Sequence, residues 1–113
     1  MSEYFYPLDG RKHYPTLEKA QKNMFQAFKN LNNEIFEKES ALSRKVKELI
    51  AIGVALTTQC PYCIEGHVRA AKKAGASDQE IAESIFVAAA LRAGGAFAHS
   101  TIAMSVLDEM EKK

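Results

Sequence analysis

SRKVKELIAIGVALTTQCPYCIEGHVRAAKKAGASDQE, residues 43–80, holds two helices back to back and the opening of a third. Ser43 is an N-cap residue, because its short side-chain oxygen can accept a free backbone N–H at a helix start. After it, Val46, Leu49, Ile50, Gly53 and Val54 recur at helical spacing and are expected to form the inward stripe. The centre, LIAIGVAL, is apolar all round, so this helix is expected to be central and buried. Thr57-Thr58-Gln59 weaken the pattern, Cys60 falls at the next N-cap, and Pro61 takes the first helical position, where its missing N–H costs nothing. The helix that begins there runs to Ala74 and stops at Gly75. Ser77 and Glu80 then form a capping box for a last helix extending from Asp78 toward Glu111.

Outside this stretch the pattern stays helical. From Thr16 to about Glu39 the apolar positions Leu17, Ala20, Met24, Phe28, Leu31, Ile35 and Phe36 recur every three or four residues, with a break expected near Asn32-Asn33. Residues 1–15, with several aromatics and two prolines, read as an irregular arm covering apolar surface. In the last helix, VAAALRAGGAFA offers small residues for a close helix crossing, either inside the monomer or between subunits, and a kink is expected at Gly94-Gly95. No repeat or linker divides residues 1–113, so the expectation is one all-α domain, a compact multi-helix bundle with its cysteines at a helix N-terminus.

Composition limits the partners. The chain has 113 residues, 15 Lys and Arg against 14 Asp and Glu, and a net charge of +1. Nucleic-acid binding draws on an excess of basic residues that is absent here apart from the short run Arg44-Lys45-Val46-Lys47. The start, MSEYFYPLDG, lacks the basic-then-apolar order of a secretory signal, and the longest apolar run, Leu49 to Leu56, is too short to span a bilayer. A cytoplasmic protein with no membrane partner is expected, and two cysteines in a reducing compartment point to redox chemistry, catalysis or metal binding.

Cys60-Pro61-Tyr62-Cys63 is a C-x-x-C pair, a spacing that two cysteines in such a chain reach by chance at roughly the 2% level. With Cys60 at the N-cap and Cys63 in the first turn, both sulfurs face the same helix end within disulfide reach. Free N–H groups and the positive pole of the helix favour a thiolate there, lowering a thiol from its usual value of about 8.5. His67, four residues after Cys63, lies one turn along the same face and can take its proton. The pattern supplies a nucleophile, a base and a second thiol able to condense with a sulfenic acid. Glu48 is the candidate third group, although an antiparallel hairpin leaves it about 6 Å further from the turn than His67. Its competitor, Glu65, points roughly 160° away from the partners of Cys63. Tyr62, between the cysteines, and His99, beside the glycine pair, are candidate pocket residues, each with packing as the plainer alternative.

The run KELIAIGVALTTQCPYCIEGHVRAAKKAGASDQEIAESIFVAAALRAGGA resembles the carboxymuconolactone decarboxylase superfamily, and within it the AhpD-like alkylhydroperoxidase branch. The resemblance covers Ser43 to about Met104 and rests on a Glu, a cysteine pair twelve residues on, and a His four residues after the second Cys: here Glu48, Cys60, Cys63 and His67. It implies an all-helical fold assembled into a homotrimer or homohexamer. It also implies a Glu–His relay that activates the cysteine pair for thiol peroxidase or disulfide-reductase chemistry, with no cofactor and no metal. Cys63 would be the peroxidatic cysteine and Cys60 the resolving one. The implied partners are a hydroperoxide or small disulfide as substrate and an external dithiol or thioredoxin-like reductant. Tyr62 stands where some peroxidase members carry a second His. The decarboxylases for which the superfamily is named generally lack the cysteine pair, which makes a lyase the alternative reading.

Three further readings compete. CPYC also resembles the glutaredoxin active site, but that fold needs a strand before the motif and a cis-proline after it, and no proline follows Pro61. A zinc site built on Cys60, Cys63 and His67 would need a fourth donor such as His99. A helical interaction module would leave the cysteines incidental.

Overall fold

A computed structural model describes residue 7 and residues 9–112. A 3₁₀ turn, Gly10–His13, leads into α1 (Tyr14–Ala20), α2 (Lys22–Phe36), α3 (Arg44–Thr58), α4 (Pro61–Lys73) and α5 (Asp78–Glu111). The described residues contain no strand, as expected of an all-α chain. The helical pattern begins at Tyr14, inside the segment read as an irregular arm; residues 1–6 and 8 lie outside the described residues. The break in the first helical segment falls at Gln21 (φ −148°, ψ 72°) and not at Asn32-Asn33, which are helical. Side-chain pattern does not register a single backbone residue leaving the helical region, so periodicity carried straight across it.

The basic run at the start of α3 is used internally. Lys47 Nζ donates to the carbonyls of Ile35 (2.8 Å) and Lys38 (2.9 Å), and Arg44 Nε donates to that of Phe36 (3.2 Å). These cations close the carbonyl end of α2, where a helix dipole favours positive charge. Lys45 pairs with Glu80 (3.0 Å) and ties α3 to the start of α5. Ser43 caps α3 by accepting the Val46 N–H, and the Ser77/Glu80 capping box is complete in both directions. At the other end of α4, the chain leaves through Gly75 at φ +96°, a backbone conformation that favours glycine.

α3 and α4 pack as a hairpin, with α5 against α3. The core is small: Ile52, Ala71 and Ala76 are buried, with Leu49, Leu56, Val68 and Ile81 packed against them. This corrects part of the expected inward stripe of α3, of which Leu49 packs on the core and Gly53 faces α5. Val46, Ile50 and Val54 are exposed, and the inward face is Glu48, Ile52 and Ala55. A segment apolar all round gives no contrast from which to choose its buried face. α5 crosses α3 where Gly53 meets Ala88, a Cβ at Gly53 lying 3.7 Å from that of Ala88. Of the small-residue run 87–98, Ala88 makes this crossing inside the monomer, whereas residues 89–94 are exposed. Gly94 and Gly95 have nothing near them, and α5 is assigned as one continuous helix through that pair.

Beyond Arg92, whose Nη1 donates to the Thr57 carbonyl (2.7 Å), α5 runs out into solvent, and every residue from 96 to 112 is exposed. By length and composition alone, this 34-residue helix could cross a bilayer. The expectation that no segment could do so considered only uninterrupted apolar runs.

Candidate active site

The turn from α3 to α4 is made by Gln59 in the left-handed region (φ 58°). It places Cys60 as the N-cap of α4, its Sγ accepting from the Cys63 N–H at 3.3 Å. The Cys60 amide in turn donates to the Ala55 carbonyl (3.1 Å), so the turn is closed from both sides. Cys60 and Cys63 are joined as a disulfide with their Cα atoms 5.3 Å apart, within the ordinary span for such a bond.

One turn along α4, His67 Nδ1 lies 3.0 Å and 3.2 Å from the two carboxylate oxygens of Glu48 on α3. The offset of about 6 Å anticipated for a straight hairpin is closed by direct contact. Glu48 is 6% exposed and, among the described residues, is the one buried charged side chain. A buried carboxylate needs a partner, and His67 supplies it. With the carboxylate accepting, Nδ1 carries the ring proton and Nε2 becomes the basic nitrogen. The ring of Phe36, at the end of α2, packs on the imidazole with centroids 4.9 Å apart. Three helices therefore fix one side chain: α4 carries it, α3 hydrogen-bonds it and α2 packs on it.

Tyr62 lies on the flank of this turn. Its carbonyl accepts from Arg11 Nη2 at 2.6 Å, and its ring lies against Gly10. Glu65 is engaged away from the cysteines, by Arg69 on its own helix and by Arg11 at 2.9 Å. Its carboxyl is held below the ordinary 4.5 by the bond from Arg69 first and that from Arg11 second. His99 is on the exposed second half of α5, outside the Glu48–His67–Phe36 cluster. Among the described residues no three His, Cys, Asp or Glu side chains are grouped as a metal ion would require.

The sequence brought forward Cys60, Cys63, His67 and Glu48; the fold joins Cys60 to Cys63 at the hairpin turn and His67 to Glu48 further along the same two helices. It did not bring forward Phe36 or Arg11. Phe36 was visible only as one apolar position among seven. Arg11 meets Tyr62 and Glu65 across 51 and 54 residues, a separation at which local pattern carries no signal.

The sequence pattern of the carboxymuconolactone decarboxylase family matches residues 22–105, from the start of α2 to deep within α5. The chain belongs to this family. A family member from Legionella pneumophila, solved by crystallography without ligand, is 30% identical and superposes with a TM-score of 0.68 over 74% of this chain and 73% of its own. "Uncharacterized protein 4 in cox locus" of Paracoccus denitrificans is 46% identical over 93 residues, 82% of this chain and 83% of its own length. An uncharacterized protein of Haemophilus influenzae is 40% identical over 61 residues, 54% of this chain and 53% of its own. The matched region of the family contains the cysteine pair, His67, Glu48 and Phe36.

Proposed function

We propose that this member of the carboxymuconolactone decarboxylase family is an AhpD-like thiol oxidoreductase that reduces hydroperoxides or small disulfides through Cys60 and Cys63. The observation that carries the reading is the hydrogen bond between His67 Nδ1 and the buried Glu48 carboxylate, one helical turn from Cys63. A carboxylate on Nδ1 fixes the tautomer and stabilises the imidazolium formed when Nε2 takes the thiol proton. The helix N-terminus adds its own bias toward thiolate.

In the proposed cycle, the Cys63 thiolate attacks the distal peroxide oxygen. The O–O bond breaks, the alkoxide takes up a proton and leaves as alcohol, and Cys63 becomes a sulfenic acid. The Cys60 thiol attacks that sulfur, releasing water and forming the disulfide. An external dithiol or thioredoxin-like protein returns two electrons, reducing the disulfide while it is itself oxidised. No cofactor enters the cycle. A lyase could use the same Glu48–His67 pair but would leave the cysteine pair without a role, and a zinc site on Cys60, Cys63 and His67 would need a fourth donor, while His99 stands on the exposed second half of α5.

We place this activity in the cytoplasm and assign it to a homotrimer or homohexamer, the assemblies that the family likeness implies. The test is peroxide consumption with a panel of dithiol donors. Cys63→Ser is expected to abolish turnover, and Cys60→Ser to leave a sulfenic acid that dimedone traps. Turnover retained in Cys63→Ser would reverse the assignment of the two sulfurs, and no turnover with any donor would remove the peroxidase.

A further inference from the structure

The 3₁₀ turn Gly10–His13 is far from the cysteines in sequence but touches Tyr62, which stands between them. Its contacts with α4 fall at Tyr62, Glu65 and Gly66. Two glycines make the contact possible. A Cβ at Gly10 would stand 2.9 Å from the Tyr62 hydroxyl oxygen and 3.0–3.1 Å from its ring, and one at Gly66 would stand 2.6 Å from Arg11 Nη2. The Arg11 side chain crosses α4 at Gly66, donating to the Tyr62 carbonyl at 2.6 Å and to Glu65 at 2.9 Å. Its base is anchored where Tyr14, the first residue of α1, meets Phe25 of α2 edge-on, centroids 6.0 Å apart.

On a helical wheel Gly66 lies about 60° from Cys63, on the side opposite the turn toward His67. Arg11 thus covers the Tyr62–Gly66 side of the helix start, next to Cys63, while α3 and the Glu48–His67 pair lie on the other side. Residues 60–68 are all half-buried. A protein that must form a mixed disulfide needs a broad face around the sulfur, whereas a small peroxide or dithiol does not.

We infer that Gly10–His13, with Arg11 as its latch, is a strap that sets the size of co-reactant admitted to the cysteine pair. Small thiols and peroxides react with the strap docked, and protein-sized dithiols require it to lift. The inference rests on the cysteine pair being the reactive centre, and its test does not require peroxide turnover.

Gly66→Ala is the cleanest probe. Alanine favours the helix interior over glycine, so α4 is not weakened. Its methyl displaces only the far end of the Arg11 side chain. Gly10→Ala lifts the turn off the Tyr62 ring, and Arg11→Ala removes the latch by a different route. In the reduced protein, the first alkylation event is timed with N-ethylmaleimide and with the same maleimide carried on a large polyethylene glycol. Wild-type protein should react far more slowly with the polymer-linked reagent. In Gly10→Ala/Gly66→Ala and in Arg11→Ala the polymer-linked rate is expected to rise about tenfold or more, the population change that loss of the charge-assisted bonds of Arg11 to Tyr62 and Glu65 produces, with the small-reagent rate unchanged. Tryptic cleavage after Arg11 or Lys12 should speed up in the glycine variant in parallel. Equal rises for both reagents, or no change in either, would overturn the strap as a size filter. Failure of peroxide turnover in wild-type protein would instead count against the proposed activity alone.

Discussion

At the level of single residues, the centre of interest is the pairing of Glu48 and His67. A carboxylate that is 6% exposed is tolerated because a ring N–H meets it. His67→Ala leaves that carboxylate buried without its partner, and denaturant unfolding should show a loss of about 1–3 kcal/mol. The same variant should move the pH profile of iodoacetamide reaction with the reduced protein to higher pH. An unchanged profile would take His67 out of thiol activation. Glu48→Gln keeps an acceptor for Nδ1–H but removes the charge opposite the imidazolium, so it should fold normally and lose about a hundredfold or more in peroxide turnover. Much of this residue-level picture could be read from sequence, because Cys60, Cys63 and His67 lie on one helix at fixed offsets. The burial of Glu48 could not be, since the edge of an apolar segment and its inward face have the same composition. The Phe36 ring on His67 depends on where α2 ends relative to α4, which no local pattern states.

Elements whose ends are written into adjacent residues were the legible ones. Ser43, Cys60 and Ser77 each satisfy a free N–H within three residues, and all three helix starts fall where those caps place them. The Gln21 break and the outward turn of Val46, Ile50 and Val54 follow from tertiary placement and left no such mark. At the α5 cap, the Ser77 N–H first and the Lys45 side chain second hold the Glu80 carboxyl below its ordinary 4.5. A value depressed by folding gives stabilisation that is fully present above 4.5 and disappears as pH falls through the folded value. Denaturation midpoints should therefore be flat at neutral pH and fall on acidification below about pH 4.5. Glu80→Gln should flatten part of that slope, and a slope unaltered by the variant would show that this cap does not carry it. Where α5 crosses α3, a methyl at Gly53 meets Ala88 at ordinary van der Waals distance. Gly53→Ala should consequently stabilise the protein by up to about 1 kcal/mol through helix propensity, and a lowered melting temperature would show that the crossing is tighter than this geometry.

Across the whole molecule, the surface is too large for the chain. A compact protein of 12.5 kDa would expose roughly 6,200 Å², whereas this one exposes 9164 Å². Its radius of gyration is 19.3 Å, against about 13 Å for a compact chain of this length. The excess of about 3,000 Å² is of the size that obligate subunit interfaces remove from water. Its composition fits: Met24, Phe28 and Leu31 on α2, and Leu91, Phe97, Ile102 and Met110 on α5, are all more than half exposed. Light scattering should give a mass three or six times 12.5 kDa, and Phe97→Asp with Ile102→Asp should reduce it. A wild-type mass of one chain, or recovery only in detergent micelles, would reject the soluble assembly.

The unsupported half of α5 also bears on life inside a cell. A lone copy leaves 17 consecutive residues, 96–112, open to proteases, and only another copy can shelter them if the trimer or hexamer is the working form. On that proposal the lifetime of the chain should lengthen as its concentration rises, because assembly by mass action buries the segment, and a lifetime independent of concentration would count against it.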